Sequence, residues 1–472
     1  MLFNSYEFIF IYLPIVLMGY FTLARVFNDK AAKYFLIISS VAFYSYWDIR
    51  NLPVLLVSIL VNFVIGQRLA VNRNKNVLLL GILFNLLLLC YFKYTGFMLD
   101  NIALLTGVSI SHAEIILPLG VSFFTFTQTA YLVDAYRGET KAYSKSDYLL
   151  FVTIFPHLIA GPIIYHKDMI PQFSQKYRYH FDIDSFAKGS TWFIIGLFKK
   201  VVIADFLSNI ANVVFAQTQH LSILEAWGGS LAYTLQLFYD FSGYSEMAIG
   251  IALMFNYDLP INFNAPYKAC SIIDFWRRWH ITLSTFLKNY LYIPIGGNRN
   301  GHHMRNILIT MFLGGLWHGA GWTFIVWGCI HGLFICVNHL WRKTKIQLPK
   351  VVSWILTFNA VNVAWVFFRA ETFQQAFGIL KAMVDFQSFA YPYSRALVRW
   401  VPSNWLSKDF LFTSNDVLWI FLFLIASVAY LSTEEWMEKF KPKGYAAVLF
   451  AMIFVYTVSQ LNKMSTFLYF QF

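Results

Sequence analysis

The chain has 472 residues, of which 58% are hydrophobic, 19% are aromatic and only 13% are charged, and its formal net charge is +12. A mean hydropathy of +0.55 argues against a soluble domain and is typical of a polytopic membrane protein. The positive charges lie in short clusters between apolar runs, where they orient membrane spans and contact anionic lipid headgroups, so we expect no nucleic-acid partner. The four cysteines are scattered, with the spacing of neither a disulfide framework nor a zinc site.

Apolar runs long enough to enter a membrane follow one another from the start of the chain. Proline or glycine residues interrupt several of them, which predicts broken or re-entrant helices whose irregular backbone is covered by protein or lines a cavity. We therefore predict an all-α fold with about eleven to thirteen membrane helices. The runs are residues 8–24, 34–47, 51–67, 76–92, 115–133, 149–166, 192–204, 231–256, 307–341, 351–368, 417–433 and 446–461.

The basic links between these runs predict an orientation. Residues 25–33, 68–75 and 342–350 are rich in Lys and Arg, whereas the link near residues 48–50 is poor in them. By the positive-inside rule we expect the basic links to be cytoplasmic and the N-terminus to be extracytoplasmic. No Lys or Arg precedes the first run, which predicts a first span and not a removed signal peptide.

The uncharged run at residues 307–341 contains the sequence GGLWHGAGW at residues 314–322 and a second histidine, His331. A continuous helix of this length would measure about 52 Å, against a hydrocarbon core of about 30 Å. Glycines at 319 and 321 offer the least costly break. We predict that His318 ends a half-helix partway through the membrane and that a full span follows from Trp322.

His318 is the first candidate for chemistry, because ionisable side chains at membrane depth are costly and functional by default. An imidazole among apolar groups favours its neutral form, which can accept a proton from an alcohol. For His331, helix packing and a direct role are equally supported. Metal-site spacing, a P-loop and a Gly-x-Ser-x-Gly elbow are absent from the sequence, so neither a metal nor a bound cofactor is expected.

The stretch DFWRRWHITLSTFLK at residues 274–288 has the period of an amphipathic helix, with His280 at the border of its apolar stripe. His280 is either an interfacial anchor or a group that orients the base or a substrate carbonyl. Arg277 and Arg278 are either headgroup anchors or ligands of donor phosphates. Asp240, in a charged interruption of the run at 231–256, is interpreted as a structural ion-pair partner.

Seven blocks of this chain resemble the membrane-bound O-acyltransferase (MBOAT) family, and more narrowly its bacterial branch of alginate and other polysaccharide O-acetylation proteins. Much of this likeness lies in three motifs: FWRRWH at 275–280, GGNR at 296–299 and GLWHGAGWT at 315–323. The blocks are residues 117–126, 131–138, 155–162, 239–250, 262–267, 274–299 and 313–332.

The resemblance implies acyl transfer in a bacterial inner membrane, by a helical bundle around a central tunnel. It maps the family's invariant histidine onto His318, the partner position onto His280 and the second bacterial histidine onto His331. It further implies a cytosolic thioester donor, acetyl-CoA, an extracytoplasmic polysaccharide acceptor and a separate periplasmic acetyltransferase of the SGNH type that completes the transfer.

The sequence thus predicts a membrane O-acetyltransferase with a transmembrane part at 1–110, a catalytic core at 111–345 and a C-terminal transmembrane part at 346–472. His318 deprotonates the acceptor hydroxyl or carries the acetyl group, and His280 orients it or stabilises the oxyanion. The acceptor polymer stays open between alginate, peptidoglycan and a cellulose-like chain, and the alternatives are D-alanyl transfer to teichoic acid or a transporter. Supporting roles are predicted for His331, Trp317 and Asp240, and donor binding for Arg277, Arg278 and Trp276.

Overall fold

A computed structural model describes residues 1–108, 115–140, 142–217, 221–299, 301–388, 391–392, 406–407, 411–429, 432–440, 444–461 and 468. Most of these residues are helical, which confirms the all-α prediction. The strands among the described residues have two residues each, β1 (Tyr391–Pro392) and β2 (Leu406–Ser407), and align in parallel with Tyr391 opposite Leu406.

In the first half of the chain, helices cover most of the predicted apolar runs, and two of them, at Thr95–Thr106 and Asp205–Ala216, lie outside every predicted run. The helices of this half are α1 (Leu13–Val26), α2 (Asp29–Ser45), α3 (Leu52–Val71), α4 (Lys75–Leu89), α5 (Thr95–Thr106), α6 (Val121–Arg137), α7 (Lys145–Thr153), α8 (Phe155–Leu158), α9 (His166–Met169), α10 (Ile183–Phe198) and α11 (Asp205–Ala216). Short π-helical turns at Phe8–Tyr12, Cys90–Tyr94 and Lys199–Ala204 extend or join neighbouring helices.

The second half contains longer helices separated by shorter ones. They are α12 (Ile223–Met254), α13 (Ile272–Arg278), α14 (Ile281–Phe286), α15 (His303–His318), α16 (Trp322–Thr344), α17 (Lys350–Arg369), α18 (Phe373–Ala382), α19 (Ser414–Ala429), α20 (Thr433–Lys439) and α21 (Gly444–Ser459). A π-helical turn at Leu287–Tyr292 continues α14.

Within the described residues, five helical stretches are long and apolar enough to cross a membrane, or six if the bent pair α19 and α20 counts as one span. They are Phe8–Val26, Ile49–Val71, Lys75–Thr106, Trp322–Thr344 and Lys350–Arg369. This confirms a polytopic membrane protein. The larger number of eleven to thirteen segments, which includes shorter and broken helices, stays a prediction.

The chain forms two compact units, each assembled from separate stretches. The first comprises Met1–Leu197, Tyr244–Ile261 and Lys441–Leu461, and the second comprises Phe198–Gly243, Asn262–Phe440 and Asn462–Phe472. The predicted boundaries at residues 110 and 345 separate a catalytic core from the transmembrane parts along the sequence, whereas these two units are defined by compactness. The predicted division therefore stays a prediction.

The first unit contains the predicted break in the run at 149–166. Helix α7 ends at Thr153, α8 covers only Phe155–Leu158, and an irregular segment follows as far as α9. His157 is buried here, with its Nε2 atom 3.1 Å from the carbonyl oxygen of Phe151. Its surroundings agree with a structural role.

The second unit contains the predicted helical hairpin. Helix α15 ends at His318, Gly319 has extended backbone, and α16 begins at Trp322. Close packing of the two arms depends on glycine: a Cβ atom at Gly315 would lie 2.4 Å from the carbonyl oxygen of Phe324. The hypothesis that the uncharged run breaks after His318 is confirmed.

One prediction about helix continuity is wrong. The amphipathic helix expected across residues 274–288 is broken, because α13 ends at Arg278 and His280 has left-handed backbone with a φ of +43°. The run at 231–256, in contrast, is one helix. Helix α12 continues for 32 residues through the charged residues near Asp240.

Candidate active site

His318 occupies the C-terminal end of the short hairpin arm. It is 4% exposed, and aromatic rings surround it. The ring centroids of Trp317 and Trp327 each lie 5.0 Å from its own, and that of Phe368 lies 5.3 Å away. The break after His318 therefore delivers an imidazole into an aromatic enclosure, where an isolated charge would be costly.

His280 lies at the break between α13 and α14 and is fully buried. Its Nδ1 atom is 3.0 Å from Oδ1 of Asn262, and its ring meets Phe241 edge-on at 4.7 Å. The ring centroid of Trp317 lies 6.5 Å from that of His280. Trp317 is thus close to both predicted catalytic histidines, and this position suits its predicted supporting role.

His331 is fully buried on α16 and belongs to the same aromatic cluster. Its ring centroid lies 5.0 Å from that of Trp327, which also contacts His318. The indole N–H of Trp276 donates a hydrogen bond of 3.3 Å to Nδ1 of His331. The structure therefore brings three histidines of the prediction into one cluster, joined through Trp317 and Trp327.

A cavity of about 470 Å³ lies against the same helices. Its lining includes two exposed cations, Arg277 and Lys288, and the partly buried imidazole of His339. Trp276 also lines it, so one tryptophan contacts both the cavity and His331. The basic lining suits an anionic ligand.

The two predicted donor-binding arginines lie in different surroundings. Arg278 donates through Nε to Asp274 over 3.0 Å and through a terminal nitrogen to the carbonyl oxygen of Asn264. Arg277 instead lines the cavity. The geometry is compatible with donor binding at Arg277, while the bonds of Arg278 fix the local backbone.

Asp240 is an ion-pair partner, as its structural interpretation predicts. Its carboxylate lies 2.5 Å from the amino group of Lys200 and accepts a hydrogen bond from the backbone N–H of Leu468. Lys200 also pairs with Asp205 over 3.0 Å. The adjacent residue, Phe241, contacts His280, so this ion cluster supports the helix from which the His280 pocket is partly built.

Sequence reasoning missed three contributors to the site: Asn262, Trp327 and Lys288. Asn262 and Trp327 carry no local signal, since polar and aromatic residues are common throughout the neighbouring segments. A charge count could have indicated Lys288, because residues 262–350 contain ten Lys or Arg but one acidic residue, Asp274. No group of three or more His, Cys, Asp or Glu side chains suited to a metal ion occurs in the described part of the chain.

Buried histidines beside a basic cavity, in a polytopic helical protein, indicate an enzyme that transfers a chemical group within the membrane. Residues 41–374 match the model of the membrane-bound O-acyltransferase (MBOAT) family, which covers more than half of the chain. The chain therefore belongs to this family and is an O-acyltransferase.

Individual relatives refine this assignment. The peptidoglycan O-acetyltransferase of Helicobacter pylori is 40% identical over 100% of this chain and 98% of its own length. The probable alginate O-acetylase AlgI of Pseudomonas aeruginosa is 41% identical over 82% of this chain and 75% of its own. The teichoic acid D-alanyltransferase of Streptococcus thermophilus is 26% identical over 53% of this chain and 68% of its own. The predicted likeness to the acetylating branch is confirmed.

Proposed function

We propose that the chain passes an acetyl group from acetyl-CoA in the cytosol across the membrane for O-acetylation of an extracytoplasmic polysaccharide. The observation that carries this proposal is the position of His318 at the broken end of α15, buried beside Trp317 and Trp327 and thereby grouped with His280 and His331. A buried imidazole cluster in a membrane-bound O-acyltransferase is suited to proton transfer at an acyl carbon.

The basic lining of the cavity supports the proposal that the donor carries phosphate groups. Trp327, His331, Ile335 and His339 recur every fourth residue, so they share one face of α16. His339 lines the cavity, and Trp327 contacts His318. The distance along the helix from Trp327 to His339 is about 18 Å. We propose that Arg277 and Lys288 hold the donor phosphates at one end of this face, while the thioester reaches toward the histidines.

In the proposed reaction, the acceptor oxygen attacks the thioester carbonyl while His318 removes the hydroxyl proton. A C–O bond forms, the C–S bond breaks, and the proton ends on the CoA sulfur. His280 either orients His318 or stabilises the developing oxyanion. A transient acetyl-His318 followed by attack of the acceptor satisfies the same balance.

We propose peptidoglycan as the polymer, with a periplasmic SGNH-type acetyltransferase that completes the transfer. The support is coverage: the Helicobacter relative named for peptidoglycan aligns over the whole chain, whereas the relative named for alginate aligns over 82% of it. Mass spectrometry of muropeptides from cells with and without the gene tests this choice. Unchanged acetylation of muropeptides together with changed acetylation of another polymer would refute it.

Replacing His318 with Ala tests the chemistry. Purified protein is incubated with acetyl-CoA labelled in the acetyl group, and CoA release is measured with an acceptor sugar present. His318→Ala should reduce CoA release at least 1,000-fold, in line with removal of a catalytic base, while His302→Ala, at an exposed histidine, should match the wild type. Wild-type turnover in His318→Ala would overturn the assignment.

The same assay separates the two alternatives. A transporter without bond chemistry would carry the intact labelled thioester into proteoliposomes, so that no free CoA would be released. A D-alanyltransferase, the second candidate on account of its 26% identical relatives, would use D-alanyl thioester in place of acetyl thioester. Either result would replace the acetyl-transfer proposal.

A further inference from the structure

The hydrogen bonds of Asn262 determine which nitrogen of His280 carries a proton. Oδ1 of Asn262 accepts the backbone N–H of Thr282 over 3.3 Å and the hydroxyl of Thr282 over 2.9 Å. A backbone N–H can only donate, so the atom facing it must be the amide oxygen and not the amide nitrogen. The same oxygen lies 3.0 Å from Nδ1 of His280. Nδ1 must therefore donate, and in the neutral ring the lone pair lies on Nε2.

The hydrogen bond of His331 has the opposite sense. The indole N–H of Trp276 is a donor with no acceptor capacity, so Nδ1 of His331 must accept it over 3.3 Å. The proton of the neutral ring then lies on Nε2. This Nε2 atom is buried and has no hydrogen-bond partner among the described residues. A buried N–H without a partner is costly, which favours a polar group of a substrate at this position.

We propose that Asn262 and Trp276 are positioning residues that hold His280 and His331 in opposite tautomers. His280 then presents a lone pair and takes up the proton that His318 removes from the acceptor hydroxyl. His331 presents an N–H group and donates it to the thioester carbonyl oxygen as negative charge develops there. The proposal rests on the acyl transfer proposed above and removes one of its alternatives, because a neutral His280 with an unprotonated Nε2 cannot stabilise the oxyanion through that atom.

The position of His331 supports these different roles of His280 and His331. It lies two helical turns from His339, which lines the basic cavity, on the shared face of α16, and about 12 Å from it along the helix axis. Trp276 touches both the cavity and His331. Along this face of α16, His331 therefore lies between the cavity-lining His339 and Trp327, whose ring contacts His318.

Nitrogen-15 NMR of the purified protein, labelled at histidine, measures the tautomers directly. His280→Gln and His331→Gln each remove one signal and so assign the spectrum. We expect the His280 ring to be protonated at Nδ1 and the His331 ring at Nε2. The reverse tautomer at either ring would overturn the proposal, and this readout does not depend on turnover.

Trp276→Phe removes the indole N–H and retains an aromatic ring. We expect His331 to become a mixture of tautomers and kcat to fall about 10- to 100-fold with KM within about twofold, since loss of a tautomer-fixing partner acts on the chemical step. The matched control is Trp354→Phe, which removes an indole hydrogen bond to the backbone carbonyl of Tyr267. A fall in kcat no greater than that of the control would overturn the role of Trp276.

Two replacements of Asn262 separate positioning from folding. Asn262→Asp retains an acceptor oxygen for Nδ1 of His280, whereas Asn262→Leu has a similar size and no acceptor. We expect Asn262→Asp to retain the Nδ1–H tautomer and at least tenfold more activity than Asn262→Leu, with both variants compared at equal amounts of folded, monodisperse protein. Equal activity of the two would contradict the proposal. If instead His318→Ala is fully active while the tautomers are as expected, the proposed reaction fails and the tautomer assignment stands.

Discussion

Lys200 illustrates, at the scale of single residues, how this protein keeps charge inside an apolar fold. Its side chain is 2% exposed and lies between the carboxylates of Asp205 and Asp240. Removing one partner of a buried ion pair leaves an uncompensated charge, which costs about 3–5 kcal/mol. Through Asp240, the packing of α12 therefore depends on Lys200, which lies in the π-helical turn before α11.

We predict that Lys200→Met lowers the thermal stability of the purified protein and its accumulation in membranes. The neighbouring Lys199→Met is the control, because Lys199 is only partly buried and donates to the hydroxyl of Thr433. The double variant Lys200→Met with Asp240→Asn should recover part of the loss, since one carboxylate is then neutral. Equal stability of the Lys200 and Lys199 variants, measured by fluorescence-detected unfolding, would refute this.

The sequence identified the three histidines but not the residues that orient them. An ionisable residue within an apolar run is conspicuous, so His318 and His331 could be predicted from composition alone. Asn262 is 18 positions from His280, and Trp276 is 55 positions from His331. Contacts at such separations are set by the tertiary fold, and no local pattern of apolar residues encodes them.

At the scale of elements, the hairpin of α15 and α16 is the feature on which the site most depends. A Cβ atom at Gly315 would lie 2.4 Å from the Phe324 carbonyl oxygen and 3.0 Å from Cα of Gly328. At the adjacent Gly314 it would meet only a methyl group of Leu287, at 3.3 Å. Backbone atoms of a packed helix cannot yield as a flexible side chain can.

We therefore predict opposite outcomes for two neighbouring substitutions. Gly315→Ala should separate the hairpin arms, displace His318 and reduce acyl transfer at least tenfold with a lower melting temperature. Gly314→Ala should be neutral or slightly stabilising, because alanine is favoured over glycine in a helix by about 1 kcal/mol. Both variants are measured for CoA release and thermal unfolding, and a more harmful effect at Gly314 would contradict the packing argument.

The helix break at His280 could not be predicted from the apolar pattern of the sequence. The apolar period continues through residues 274–288, which predicts one amphipathic helix. The backbone nevertheless breaks there, because the N–H of Ile281 bonds to the carbonyl oxygen of Asn262 and the N–H of Asn264 bonds to that of Arg278. These bonds to a distant segment hold His280 in left-handed backbone, which costs a non-glycine residue energy and is typical of functional sites. The break after His318 was predictable because glycine marks it in the sequence.

At the scale of the whole molecule, orientation in the membrane decides which face receives the donor. Helix α17 has 20 residues, about 30 Å, and matches the hydrocarbon thickness. The link before it, residues 345–349, carries Lys345 and follows the basic end of α16. From the positive-inside rule we predict that this link is cytoplasmic and that the other end of α17, at Arg369, is extracytoplasmic.

Single cysteines on either side of α17 test this orientation. In a background in which the four native cysteines are replaced, Gln347→Cys and Glu371→Cys place thiols at two exposed positions. A membrane-impermeant maleimide added to intact cells with a permeable outer envelope should label Glu371→Cys and not Gln347→Cys, because the inner membrane shields the latter. After permeabilisation both should react, which controls for access to each thiol. The reverse pattern would put the basic cavity, with Arg277 and Lys288, on the extracytoplasmic face, where no CoA is available, and would exclude acetyl-CoA as the donor at that cavity.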